Sequence, residues 1–198
     1  MISTNRKRVS DLPKDEYGRV IVDLENPHIL EDMDYFRPSA IHFEKYGCYT
    51  KLRPNGNPKS EYGKWIREEY RRCFEGYVRE SDGEWIPGDY YFFLNYCPIL
   101  LTEDNGTNSK SGRRKIGFPR VWDGHYLMFH YLNRARGNGK HGFILASRSK
   151  GKSLSVASML GKRFVLGEFM DVMKRVTSYI TAADKSKLIG GDQTLNKF

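Results

Sequence analysis

Eight residues, Ala146-Ser147-Arg148-Ser149-Lys150-Gly151-Lys152-Ser153, have the types and spacing that hold a polyphosphate. Each has a physical job in that chemistry. Successive backbone N–H groups curl around an anionic oxygen, and Gly151 removes the side chain that would block the approach. The Lys152 ammonium reaches the β- and γ-phosphates, and the Ser153 hydroxyl helps hold Mg2+. A helix expected to begin near Lys152 adds the partial positive charge of its N-terminus. Ala146 stands where this phosphate-loop pattern usually has Gly. Arg148 has two readings: a guanidinium that bridges to the γ-phosphate as an arginine finger in cis, or a surface arginine that only adds to the positive field. Lys150 reads as part of that field rather than as a specific ligand.

The elements around the loop are those the chemistry needs. An apolar run, Gly142–Ala146 (GFILA), reads as the strand feeding the loop. The helix that follows carries Ser155, Ala157, Ser158 and Gly161, small residues suited to close packing on a sheet. A β-branched run, Arg175–Ala183, predicts a second strand, with a further helix from about residue 184. Strand and helix in alternation predict a parallel α/β sheet. Just upstream, DGHYLMFHYLNRARGNGK has helical spacing, with Asp123 as a cap and Arg134 and Arg136 suited to its C-terminus.

The first half differs in character. Arg19–Leu24 reads as a short strand, Lys51–Ser60 as a loop, and Glu61 onward as a helix capped by Ser60 and stopped at Gly76. Trp85–Leu101 reads as a Pro-Gly turn feeding an aromatic, core-forming strand, and KIGFPRVW as a strand returning from a polar loop. The expected organisation is an α+β module over 1–115 and an α/β domain over 116–198.

Composition narrows the partners. Of the 198 residues 39% are hydrophobic and 14% aromatic, enough for a packed core. No apolar run approaches the roughly 20 residues of a membrane span, so no membrane is expected. Three scattered cysteines, Cys48, Cys73 and Cys97, have neither disulfide-framework nor metal spacing. The net charge is +9, and Glu103–Arg163 holds thirteen Lys and Arg against three acids. Such a field either attracts nucleotides and nucleic acid or simply keeps a surface solvated.

SRSKGKS resembles the variant Walker A of phage terminase large subunits, the ATPases of viral DNA-packaging motors. There an arginine commonly follows the serine, and the first glycine is often replaced. The run GEWIPGDYYFFLNYCPI, then FPRVWDGHYLMFHYL, then GKHGFILASRSKGKS is similar to the layout before that family's phosphate loop. The final SYITAADKSKLIGGDQTLNKF is similar to its second strand and following helix. The resemblance implies an ASCE-type P-loop NTPase sheet, ATP and Mg2+ as cofactors, and duplex DNA as substrate. It also implies a portal protein and a small terminase subunit as partners, a ring oligomer on the portal, and the cytoplasm of an infected bacterial host as location. By position, Arg120, Trp122 and Asp123 match the adenine-contacting segment; the other reading is a buried Trp beside a helix-capping Asp. Lys110–Lys115 (KSGRRK) is the expected place for DNA contacts, or else a solvated loop.

Family members continue to a Walker B strand ending in Asp-Glu and to a metal-dependent nuclease domain. VIVDLE, with Asp23 and Glu25, imitates a Walker B but precedes the loop instead of following it. The sequence therefore reads as the N-terminal part of such a motor, monomeric by itself. Other readings are another P-loop DNA motor, such as a helicase, and a non-enzymatic basic nucleic-acid-binding domain. Hydrolysis needs a carboxylate that orients the attacking water, so this polypeptide is expected to bind ATP weakly at best and not to turn it over. A phosphate-release assay checks this: steady turnover lost in Lys152→Ala would reveal a catalytic carboxylate within the chain.

Overall fold

The computed structural model describes residues 11–25, 34–102, 114–147 and 151–167. The chain divides into two units, Met1–Gly142 and Phe143–Phe198.

In the first unit, Val20 and Val22 are buried, but the expected strand over Arg19–Leu24 is reduced to one bridge, Lys14 to Val20. A ladder needs a neighbouring strand, and the backbone here is spent on a tight turn in which the Asp15 carboxylate takes the N–H groups of Tyr17 and Arg19. A 3-10 turn at Asp34–Phe36 leads into α1 (Pro38–Tyr46), with Pro38 at its first position. Residues 51–59 form the expected exposed loop. Then α2 (Glu61–Glu75) starts and stops as its signals require: Ser60 Oγ accepts from the Gly63 N–H at 3.0 Å, and Gly76 ends it. Two residues each of β1 (Tyr77–Val78) and β2 (Trp85–Ile86) pair antiparallel.

The segment expected as an aromatic strand is a helix, α3 (Gly88–Tyr96). Alternation fails as a guide here because seven of its nine residues are buried, on every side of the helix. A helix without a polar face has no amphipathic period to read, and tertiary packing overrides the β propensity of Tyr and Phe. Pro87 opens it, its carbonyl accepting from Tyr90 and Tyr91. Gly88 is required by close packing, since a Cβ there would lie 2.3 Å from the Cys73 carbonyl oxygen of α2. The expectation of core, as opposed to a stacking platform, holds: Tyr90, Tyr91, Phe93 and Leu94 are all but inaccessible.

Beyond α3, the hairpin of β3 (Ile99–Thr102) and β4 (Arg114–Gly117) includes the expected returning strand. Helix α4 (Asp123–Gly137) then packs on α3, with Tyr90 stacked at 4.9 Å on Phe129. That packing keeps α4 in the first unit, and in sequence the units divide after Gly142. In the second unit the described helix is α5 (Lys152–Leu166), with Ser155, Ala157 and Ser158 buried.

Both sheets among the described residues are two-stranded and antiparallel. The protein is thus mixed α and β. The strand and helix expected from residue 175 onward, and the loop at 103–113, lie outside the described residues.

α3 holds its neighbours through polar atoms. Asn95, fully buried, accepts the N–H groups of Ser39 and Ala40 at 3.0 and 3.2 Å and donates to the Phe36 and Tyr91 carbonyls. It caps α1 from another helix, where Arg37 at the N-cap offers no side-chain bond. Tyr91 and Tyr96 donate to the buried Glu69 of α2, Tyr91 at 2.8 Å, and Ser39 adds a third hydroxyl at 2.9 Å. Arg72 Nη1 donates to the other Glu69 oxygen at 2.9 Å. On the far side, the Tyr90 hydroxyl takes the Trp122 N–H at 3.2 Å, where α4 begins. Glu84, also buried, accepts from the Tyr126 hydroxyl.

Burial pushes the phenols of Tyr90, Tyr91, Tyr96 and Tyr126 well above their ordinary value; Glu69 adds to this at Tyr91 and Tyr96, and Glu84 at Tyr126. Folded values above unfolded ones mean that this stability is fully present below about pH 10 and is lost as pH rises toward the folded values. Alkaline titration should therefore show a late group of phenolates appearing together with loss of ellipticity; early, smooth titration of every tyrosine would contradict the network. In urea, Glu69→Ala should cost about 3–5 kcal/mol, because four donors lose a buried acceptor, against about 1 kcal/mol for loss of a helix cap in Ser60→Ala. Equal costs for the two would place Glu69 outside the load of the fold.

Candidate functional site

The phosphate-loop residues fall in the second unit, and Ala146, Ser147 and Gly151–Ser153 are described there. Arg148, Ser149 and Lys150 lie outside the described residues. α5 begins as expected near Lys152, and its N-cap is Gly151 at φ 70° and ψ 6°, a left-handed conformation that glycine adopts without a steric penalty. The turn is locked from below: the Ser155 N–H and hydroxyl both reach the Gly151 carbonyl, at 3.0 and 3.2 Å. Ser158 bonds in turn to the Ser155 carbonyl.

The Lys152 side chain folds back over the loop. Its Nζ donates to the carbonyl oxygens of Ala146 at 2.6 Å and Ser147 at 2.5 Å. One ammonium thus ties the two ends of the eight-residue segment together and places a full positive charge beside the helix start. The first N–H groups of a helix have no intrahelical acceptor, and the first turn of α5 carries no acidic residue to repel an anion. Ser153 is exposed in that turn, as a magnesium ligand beside a phosphate must be. These residues fit a nucleoside polyphosphate: Lys152 and the first amides of α5 would hold phosphate oxygens, and Ser153 would hold Mg2+. The metal supplies charge neutralisation between phosphate oxygens.

The strand expected to feed the loop is not formed among the described residues. Residues 141–147 carry no strand pairing, and Phe143 and Leu145 are 82% and 90% exposed. An apolar run becomes a strand only when a partner takes its backbone groups, and the partner expected here, Arg175–Ala183, lies outside the described residues.

Arg120, Trp122 and Asp123 belong to the first unit. Arg120 is exposed. Trp122 is not a buried tryptophan; the residue is 43% exposed, and its ring stands edge-on to His125 at 4.9 Å. Nor is Asp123 the helix cap. It is the first helical residue, and Trp122, with extended backbone and its amide hydrogen taken by the Tyr90 hydroxyl, occupies the capping position. Asp23 and Glu25 do not end a strand: the Asp23 carboxylate accepts the Glu25 N–H at 2.9 Å in a local turn. Of Lys110–Lys115, the last residue is exposed in β4.

Sequence reasoning missed the Lys152 clamp. Its signal is the pairing of a lysine at the head of a helix with a loop short enough to bring carbonyls within reach of one side chain. Among the described residues no cluster of His, Cys, Asp and Glu could hold a metal by itself, and no helix is long and apolar enough to cross a membrane. No family model, curated protein or solved structure matches the chain.

Proposed function

We propose that this chain binds ATP with Mg2+ through Ala146–Ser153 and forms the nucleotide-binding part of a DNA-translocating motor of the terminase large-subunit type. The observation that carries the reading is Lys152: its ammonium is held across the loop, within bonding distance of two loop carbonyls and at the start of a helix. A cation fixed there and a helix N-terminus beneath it both attract a phosphate, and the left-handed glycine before them makes the turn without a side chain in the way. The basic excess over Glu103–Arg163 supports DNA as the polymer on which the motor acts. In the whole motor, ATP binding would reorient subdomains and hydrolysis would drive duplex DNA through a portal into a capsid.

One observation favours a second reading. Phe143 and Leu145 are exposed, whereas the strand before a phosphate loop is ordinarily buried in a parallel sheet. A basic nucleic-acid-binding protein with a loop that imitates the motif has no need of that strand.

Thermal unfolding with Mg2+ and a non-hydrolysable ATP analogue separates the two. At ligand about 100-fold above Kd the binding reading expects about 2.7 kcal/mol of added stability, a rise of several degrees that Lys152→Ala abolishes. No rise in the parent protein, or the same rise in Lys152→Ala, would refute nucleotide binding by this loop. Salt-sensitive DNA binding together with no response to Mg-ATP would establish the second reading.

A further inference from the structure

Surface loops are ordinarily held loosely, but the exposed one between α1 and α2 is tied down by its own side chains. The Asn55 amide oxygen accepts the Asn57 N–H at 3.0 Å and the Ser60 hydroxyl at 2.8 Å, and its nitrogen donates to the Arg53 carbonyl at 3.3 Å. The Asn57 side chain accepts the Lys59 N–H at 2.9 Å, and the Arg67 guanidinium of α2 donates to the Pro58 carbonyl at 2.5 Å. Arg53, Lys59 and Arg67 are thereby gathered around one turn. Two residues before Arg53, the Lys51 ammonium lies 3.6 Å from the centroid of the Tyr46 ring, and the Lys45 ammonium approaches the same ring at 5.1 Å. All five cationic residues are exposed, and among the described residues none of them is paired with a carboxylate. The nearby acids are spent elsewhere: Glu44 on Arg37, Glu61 on Lys64, Glu68 on Arg71 and Arg72. From Lys45 to Arg67 the chain holds six Lys and Arg against one acid. Like charges gathered in a fixed loop without counter-charges make a local positive field that an anion relieves.

We propose that Lys45, Lys51, Arg53, Lys59 and Arg67 form a docking surface for the phosphate backbone of a nucleic acid, with the loop already held in the shape that binding requires. Five cations spread over the end of α1, the loop and α2 suit a line of phosphates better than a single one. Three of the five are lysines, which the cores of protein–protein interfaces avoid and phosphate contacts use. A lipid surface would call for apolar side chains that insert, and between Lys51 and Lys59 the loop offers Leu52 among asparagine, glycine and proline. The Asn55 and Asn57 side chains are committed to the loop itself, so the surface grips backbone and does not read bases. A rigid loop loses little freedom on binding. The inference concerns the first unit and does not rest on nucleotide binding by the second.

The test is fluorescence anisotropy of the full chain with labelled duplex and single-stranded DNA of mixed sequence, titrated at several salt concentrations. Lys45→Gln, Lys51→Gln, Arg53→Gln and Lys59→Gln combined should lower the slope of log K against log salt by about three to four on duplex, or by about three on the single strand. The arm that loses more affinity identifies the form bound. Arg67 is left in place because it anchors the loop. Lys45→Arg, Lys51→Arg and Lys59→Arg combined, which keep the charge, should keep the parental slope. Melting curves that match the parent show that both variants fold. Parental affinity and slope in the glutamine variant would overturn the proposal. So would a glutamine variant that keeps its DNA slope but loses binding to phosphatidylserine vesicles. Lys152→Ala run alongside should keep its DNA slope. Loop-dependent DNA binding with no Mg-ATP stabilisation would remove the nucleotide reading alone, and the reverse result would remove this surface alone.

Discussion

The first unit depends on one constraint: the helix at its centre, α3, must satisfy the polar ends of helices that lack caps of their own. α1 opens at Pro38 with no side-chain cap, and its first free amides are taken by Asn95. α4 opens at Trp122 with no side-chain cap either, and the Trp122 amide hydrogen goes to Tyr90. Unpaired buried amides cost about as much as lost hydrogen bonds. A shift of α3 by one residue would therefore strand groups on both sides at once. The arrangement fixes the register of three helices with a few side chains, where apolar contact alone would allow them to slide.

Glu69 extends that logic to α2. It sits on the helix face whose other inward positions are apolar or small, and it is the most buried charged side chain of α2. A carboxylate in such a place is tolerated only when its lone pairs are occupied. Three hydroxyls on one oxygen and a guanidinium on the other meet that demand. Two of the hydroxyls come from α3, one from α1, and the guanidinium from α2 itself, so a single group binds three helices to a common geometry. The other polar side of α2 is different in kind. Arg71, Glu68 and Glu75 form exposed pairs along the helix, which contribute little to stability and mainly keep the surface soluble.

What the sequence revealed followed from how local each signal was. Ser60, Gly76 and the apolar spacing between them define α2 without reference to anything else, and the helix formed where they placed it. Gly151-Lys152-Ser153 announced α5 for the same reason. α3 was illegible as a helix because a period can be read only where one face differs from the other, and all its faces are buried. Asn95 as a cap for α1, and Tyr90 as the partner of Trp122, are contacts across 55 and 32 residues; no window of sequence contains both partners. Gly142–Ala146 shows the converse. Its composition is that of a strand, but strand formation is decided by a neighbour, and composition cannot supply one.

The proposed phosphate site asks less of the fold than any of these. It would need a glycine free to turn, a helix start and a lysine that reaches back, all within a few residues of one another, and these local elements are the ones that a sequence window can contain. Catalysis is another matter. From Phe143 to Gly167 the sequence has five basic residues and not one acid. Such a segment can attract, orient and neutralise a polyphosphate, but it has no group able to hold an attacking water in line. If the proposed motor hydrolyses ATP, a carboxylate for that role would have to be brought close from another part of the fold or from a neighbouring subunit. On the proposed reading, binding would be encoded in one loop, whereas turnover would depend on how that loop is placed against other surfaces, and the two could be separated by mutation on physical grounds.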